Sequence, residues 1–240
     1  MSSPLPPEIL DIIVDNLHDE PTTLKSCCLV CKLWVPRTRK HLFAHVEFDA
    51  ADFHVERWKK TFPDPSNSPA HHTRTLSIRG IPIATPAYVG MDDWIRSFRN
   101  VVDLCLEHQD LVSIVPFYGI SPTVRSLCLT YTTPEIFRSF PHLEDLAFVD
   151  SHPKADLDGW TAPLTSPKLT GSLRLRLSVS ARPVIRRLLE LPDGPHFSKI
   201  TVISFNEDAE SVTDLVSKCS DTLETLALAY LPPGAFLSAP

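Results

Sequence analysis

Two cysteines and two histidines near the N-terminus have side chains that could bind a metal ion. The pattern Cys28-x2-Cys31 followed by His41-x3-His45 supplies the two thiolates and two imidazoles that tetrahedral zinc prefers. Nine residues separate Cys31 from His41, fewer than the roughly twelve between the ligand pairs of a zinc finger. The cysteines also fall in a helical pattern. We therefore predict no metal site and no cofactor, and interpret these thiols as small core side chains. A zinc or nucleic-acid binding module is the alternative.

The sequence contains no short signature of an active site. The patterns G-x-S-x-G, H-E-x-x-H, the Walker A loop and the dinucleotide-binding glycines are all absent. The 7 glycines are scattered, so no glycine-rich loop is available to bind a phosphate. We predict no catalytic residues and a protein that is not an enzyme.

Composition and charge restrict the class of partner. The 240 residues carry a formal net charge of −6 and include 43% hydrophobic residues, which argues for a globular protein without a nucleic-acid or membrane partner. No apolar segment approaches the ~20 residues that cross a bilayer, and the first ten residues lack the basic and long apolar regions of a secretory signal. The 6 cysteines show no disulfide framework. We expect a soluble protein of the cytosol or nucleus.

A short basic cluster is interpreted as a solvated helix end, and it comprises Lys32, Arg37, Arg39 and Lys40.

Three short helices are predicted within residues 5–43. The first has apolar residues at four-residue steps along one face, and these are Ile9, Ile13 and Leu17. Ile12 and Val14 are also apolar but lie off that face. The second begins at Pro21 and breaks before Pro36, and the third covers 37–43. So small a bundle cannot bury all of its apolar side chains, and we expect the surplus to contact another domain or a partner.

Beyond a loop rich in proline and serine, a short apolar pattern recurs seven times. Each unit reads apolar-x-x-Leu-x-apolar, and its aliphatic anchors are Leu76, Leu104, Leu127, Leu146, Leu175, Ile203 and Leu226. Successive anchors are 19 to 29 residues apart, with a mean of 25. The alternation predicts one strand in each unit, and helical patterns follow at 91–98, 134–140, 183–191 and 209–219. The spacing resembles that of leucine-rich repeats. An ordinary α/β domain with a parallel sheet is the alternative.

The repeats depart from the family pattern where an asparagine normally follows the strand. That position holds Gln109, Thr132, Ser151 or Asp208, so we predict that the asparagine ladder between turns is missing and the solenoid is irregular. The last ten residues contain no obvious capping repeat, so we expect a truncated chain or a tail that folds back. The predicted fold class is α/β, with a helical domain at 1–46, a bridging helix and linker at 47–72, and a repeat domain with a curved parallel sheet at 73–240.

The opening stretch resembles the F-box family. Leu5, Pro6, Glu8, Ile9 and Leu10 match its Leu-Pro-x-Glu-Ile-Leu start, and Val30, Cys31, Lys32 and Trp34 match its Val-Cys-(Lys/Arg)-x-Trp element. The resemblance implies docking on the Skp adaptor of a cullin–RING ubiquitin ligase, with a C-terminal domain that binds the target protein. It implies that the residues shared between the adaptor interface and the bundle core are Leu5, Pro6, Ile9, Leu10, Ile13, Leu24, Val30 and Trp34.

A target surface is expected on the outer face of the repeats, between their core leucines. Its predicted members are Arg79, Asp103, Glu107, Thr130, Asp145, Arg174, Arg176 and Asn206. The surface changes from acidic to basic along the chain, which suits a charge-matched protein target. An F-box protein that acts outside ubiquitination is equally compatible with these residues.

Overall fold

The computed structural model describes residues 6–49, 54–80, 91–107, 120–132, 134–151, 166–178, 180–204 and 208–230. Within these ranges the protein is an α/β structure of seven α-helices and one open, fully parallel sheet of eight strands. No helix in the described part is long and apolar enough to span a membrane.

Helices and short 3-10 segments surround the sheet. The α-helices are α1 (Pro7–Asp15), α2 (Pro21–Val30), α3 (Val35–Leu42), α4 (His54–Thr61), α5 (Met91–Arg96), α6 (Arg182–Leu189) and α7 (Ala209–Lys218). The 3-10 segments are Pro65–Asn67, Pro69–His72 and Pro134–Ser139. The strands are β1 (His45–Asp49), β2 (Thr75–Arg79), β3 (Asp103–Glu107), β4 (Ser126–Thr130), β5 (Asp145–Val149), β6 (Ser172–Arg176), β7 (Lys199–Ser204) and β8 (Thr225–Tyr230).

The first three helices form a small bundle whose packing differs from the predicted stripe. Each helix begins with a proline in its first turn, where a missing N–H costs nothing. The fully buried positions are Val14, Leu24, Cys27 and Thr38. On α1, Val14 points inward while Ile9 and Ile13 are exposed, because so small a bundle covers only a narrow strip of each helix.

The strands stand in sequence order, β1 to β8, and their core side chains form two continuous rows. One row contains Val46, Leu76, Leu104, Leu127, Leu146, Leu173, Ile200 and Leu226. The predicted anchors in β6 and β7 were therefore wrong. Leu175 lies two residues beyond the row, on the same face, and Ile203 lies on the opposite face. Both segments carry several apolar residues, and only pairing with the neighbouring strands selects which of them enter the core.

The sheet begins earlier than the repeats predicted. Strand β1 precedes the predicted repeat domain and pairs in parallel with β2, from His45 opposite Thr75 to Asp49 opposite Arg79. Its side chains alternate between core and solvent, with Val46 and Phe48 buried.

Side-chain hydroxyls connect neighbouring units at the positions where the asparagine ladder is missing. The Thr132 hydroxyl donates to the Leu106 carbonyl (3.2 Å), and the Ser151 hydroxyl donates to the Leu129 carbonyl (2.9 Å), one strand back in each case. Both side chains are buried. Hydroxyls thus replace asparagine amides as donors to the preceding turn. Gln109 and the last ten residues lie outside the described residues.

The carboxylate of Asp208 connects two later units. It accepts hydrogen bonds from the Ala181 amide (2.7 Å), the Arg182 amide (3.2 Å) and the Ser180 hydroxyl (2.5 Å). These amides belong to the start of α6, which has no side-chain cap from its own segment. Asp208 therefore caps that helix from a position 27 residues beyond Ala181.

An aromatic cluster joins the bundle to the sheet. Phe43, directly after α3, makes edge contacts with Trp58 (ring centroids 5.8 Å apart) and Phe62 (6.1 Å). Trp58 also contacts Phe48 of β1 (5.5 Å) and Phe98 (5.7 Å). Because these rings come from the bundle, α4, β1 and the residues after α5, the cluster fixes the position of the helices on the sheet.

Candidate interaction surfaces

The N-terminal bundle carries most of the exposed apolar surface. Nine large hydrophobic side chains are exposed in the described part of the chain, and six of them lie between residues 9 and 33. They are Ile9, Ile12 and Ile13 on one side of α1, and Leu29, Val30 and Leu33 at and just after the end of α2. Leu29 is 89% exposed and Leu33 is 73% exposed. Large apolar side chains exposed at this density are typical of an interaction site.

The predicted adaptor-binding residues divide into three groups. Pro6, Ile9, Ile13 and Val30 are exposed, and Leu10 and Trp34 are half-buried. Leu24 is buried at 1% exposure and belongs to the bundle core. Leu5 lies outside the described residues.

The prediction of surface residues missed three of the most exposed apolar side chains. Ile12, Leu29 and Leu33 are 56%, 89% and 73% exposed. The sequence did contain one indication of this, because Ile12 is an apolar residue that lies off the apolar face predicted for α1 and so was not expected to pack in the core. Leu29 and Leu33 were missed because α2 ends at Val30, several residues before the expected break at Pro36.

A carboxylate fastens α1 to α3. Arg37 donates from Nε to Asp15 Oδ1 (2.6 Å) and from its terminal nitrogen to Asp15 Oδ2, and His41 Nε2 lies 2.7 Å from Oδ1. Hydrogen bonds from Arg37 and then from His41 hold the pKa of Asp15 well below its usual range. The interpretation of Arg37 as a solvated residue is therefore wrong, whereas Lys32, Arg39 and Lys40 are exposed.

The four residues of the zinc-like pattern do not meet. The Cys28 sulfur lies 2.8 Å from the Thr38 hydroxyl, and His41 is engaged with Asp15. His45 is exposed at the start of β1. Among the described residues, no group of three or more potential ligands is placed to hold a metal ion.

The outer face of the sheet presents the predicted charged residues in register. Arg174 and Arg176 of β6 lie on the same face of the sheet as Asp103 and Glu107 of β3. The register shows this, because the pairing of β3 with β4, of β4 with β5 and of β5 with β6 places these residues on one side. The acidic side is neutralised only in part, because the single guanidinium of Arg79 forms salt bridges with both Glu47 (2.9 Å) and Glu107 (3.1 Å).

Asp145 differs from the other predicted residues because its carboxylate is used within the fold. Its Oδ1 accepts hydrogen bonds from the Ser172 amide (2.6 Å) and hydroxyl (2.7 Å). By contrast, Arg174 and Arg176 form no salt bridge within the described residues and offer unneutralised positive charge. Thr130 is half-buried at the end of β4, and Asn206 lies outside the described residues.

The comparisons with known proteins add no identification. The chain matches no protein family, no curated protein and no solved structure.

Proposed function

We propose that this protein is a target-recognition subunit of a Skp–cullin–F-box ubiquitin ligase. In this proposal the bundle is an F-box that docks on the Skp adaptor. The sheet domain is an irregular leucine-rich-repeat array, and its outer face binds a target protein. The protein itself carries no catalytic residues.

The apolar surface of the bundle is the observation that carries the proposal. Six exposed large hydrophobics lie within 25 residues of one another, and they overlap the segment that resembles an F-box. Burying such side chains stabilises a complex by roughly 1.5–3 kcal/mol for each one fully covered. A partner with a complementary apolar groove would therefore gain substantial affinity from this surface.

Positioning is the mechanism. A ligase subunit of this kind increases the rate of ubiquitin transfer by holding the target near the charged enzyme, which converts a bimolecular encounter into a local one. The aromatic cluster around Trp58 supports this role, since it holds the bundle and the sheet in one fixed arrangement.

Co-purification with a Skp-family adaptor tests the docking surface. We expect the wild-type chain to co-elute with the adaptor, and Ile12→Asp and Leu29→Asp each to abolish co-elution, because binding would bury an unpaired carboxylate. Both side chains are exposed in the free protein, so these substitutions leave the fold intact. Thr22→Asp, on an exposed position of the same helix as Leu29, is the matched control and should bind normally. A folded wild-type chain that does not bind would overturn the proposal.

A further inference from the structure

Two cysteines face each other on the outer side of the sheet. Cys105 of β3 and Cys128 of β4 are direct register partners. Both are half-buried, and both thiols are free. Neighbouring strands lie about 4.8 Å apart, which is inside the range of about 4.4–6.8 Å between the Cα atoms of disulfide-bonded cysteines.

The surroundings make the two thiols unequal. The interaction between the two thiols lowers the pKa of Cys128 and raises that of Cys105. The Thr130 hydroxyl (Oγ1 4.0 Å from the sulfur) and the positive charge of Arg174 also favour the Cys128 thiolate, while the charge of Glu107 opposes it. Cys105 has the Ser77 hydroxyl on its other side.

We propose that Cys105 and Cys128 form a peroxide-reactive dithiol site that closes to a reversible disulfide between β3 and β4. A single thiol on a surface would carry no such inference. Here two free thiols stand on paired residues of adjacent strands, within the Cα separation that a disulfide allows. This inference is independent of docking through the bundle.

The reaction balances with a hydroperoxide as the oxidant. The Cys128 thiolate attacks the distal peroxide oxygen; an S–O bond forms, the O–O bond breaks, and the leaving oxygen takes a proton. The Cys105 sulfur then attacks the Cys128 sulfenic acid, forming the S–S bond, and hydroxide leaves with the Cys105 proton as water. The two thiols lose two electrons in total, and hydrogen peroxide is reduced to two molecules of water.

Peptide mapping of the full-length chain after limited treatment with hydrogen peroxide tests the site. We expect the Cys105–Cys128 linked peptide to be the first disulfide formed, and dithiothreitol to restore both thiols. We also expect Cys128 to react at least about threefold faster than Cys31, because the thiolate is the reactive form. The inference is overturned if both thiols stay reduced in the folded chain, or if another pair of cysteines links first.

Two single variants separate the roles of the thiols. In Cys105→Ser, Cys128 should accumulate as a sulfenic acid that dimedone labels, because the resolving thiol is gone. In Cys128→Ser, the disulfide between β3 and β4 cannot form, so the peroxide-induced linkage of the Cys105 peptide should be lost. Absence of dimedone labelling at Cys128 in Cys105→Ser would contradict a sulfenic acid intermediate at that residue. Both side chains lie on the outer face of the sheet, outside the hydrophobic core, and the wild-type mapping decides the question even if a variant folds poorly.

Discussion

Asp15 is the residue whose charge the bundle depends on most directly. Its carboxylate is bonded by Arg37 and His41 at the same time, across the gap between α1 and α3. Sequence reasoning could not find this contact, because the partners lie 22 and 26 residues away and any of several carboxylates could have reached them. Only the packing of α1 against α3 selects Asp15.

Replacing this carboxylate should loosen α1. We expect Asp15→Asn to increase hydrogen exchange across α1 and to lower the Tm by a few degrees at pH 7, since the neutral amide loses the ion pair with Arg37 and accepts fewer hydrogen bonds than the carboxylate. Asp19→Asn, at an 87% exposed side chain on the same segment, is the matched control and should change neither quantity. Unchanged exchange in Asp15→Asn would show that the contacts of Asp15 with Arg37 and His41 do not stabilise the bundle.

The hydrogen bonds of Asp15 with Arg37 and His41 also predict that the stability of the bundle depends on pH. Because the folded-state pKa of Asp15 is depressed, its contribution is present above the unfolded pKa of about 4 and is lost as the pH falls further, toward the folded pKa. The protection of α1 against hydrogen exchange, corrected for the intrinsic exchange rate at each pH, should therefore fall below about pH 4 in the wild type. The difference between wild type and Asp15→Asn should shrink over the same range. A constant difference down to low pH would contradict the assignment.

The strands show how far sequence patterns predict this fold. Alternating apolar residues placed the strands of the parallel sheet correctly, because alternation reports locally which side of a strand is buried. The register of β6 and β7 could not be predicted from the sequence. In and directly after β6, Leu173, Leu175 and Leu177 follow one another at two-residue steps, and any of them fits the alternating pattern. The pairing with the neighbouring strands decides which leucine is opposite which residue, and this pairing cannot be read from one sequence.

The hydroxyl ladder gives a prediction for the contacts between units. Ser151→Ala should lower the free energy of unfolding by about 1–2 kcal/mol, because the buried Leu129 carbonyl loses its donor. The measurement is chemical denaturation. Ser178→Ala, at an exposed position after β6, should be near neutral. A Ser151→Ala variant as stable as the wild type would show that the ladder is not needed.

The start of β6 leaves no room for a side chain at Gly171. A Cβ there would lie 2.5 Å from Asp145 Oδ1 and 3.1 Å from the Glu144 carbonyl oxygen. Gly171→Ala should therefore lower the free energy of unfolding by about 1–3 kcal/mol. Asp145→Ala removes one of the two obstacles, so the double variant should lose less than the sum of the single losses. Strict additivity in denaturation would refute this contact.

The molecule as a whole combines a small bundle that has exposed apolar side chains with a long sheet. The acidic part of the sheet is partly neutralised by Arg79, and its basic part carries Arg174 and Arg176. The surplus of apolar residues in the first 43 residues was visible from the sequence, because it exceeds what so small a bundle can cover. Which of them face outward was not visible, since that depends on where α2 ends and how α1 is rotated. The proposed adaptor surface therefore extends the F-box-like positions by Ile12, Leu29 and Leu33.

Hydrogen exchange of the full chain, with and without a Skp-family adaptor, tests the central claim most directly. The account predicts slower exchange in peptides covering α1 and residues 21–34 when the adaptor is present, and no change across β2 to β8. Protection confined to the sheet, or no protection at saturating adaptor, would contradict it.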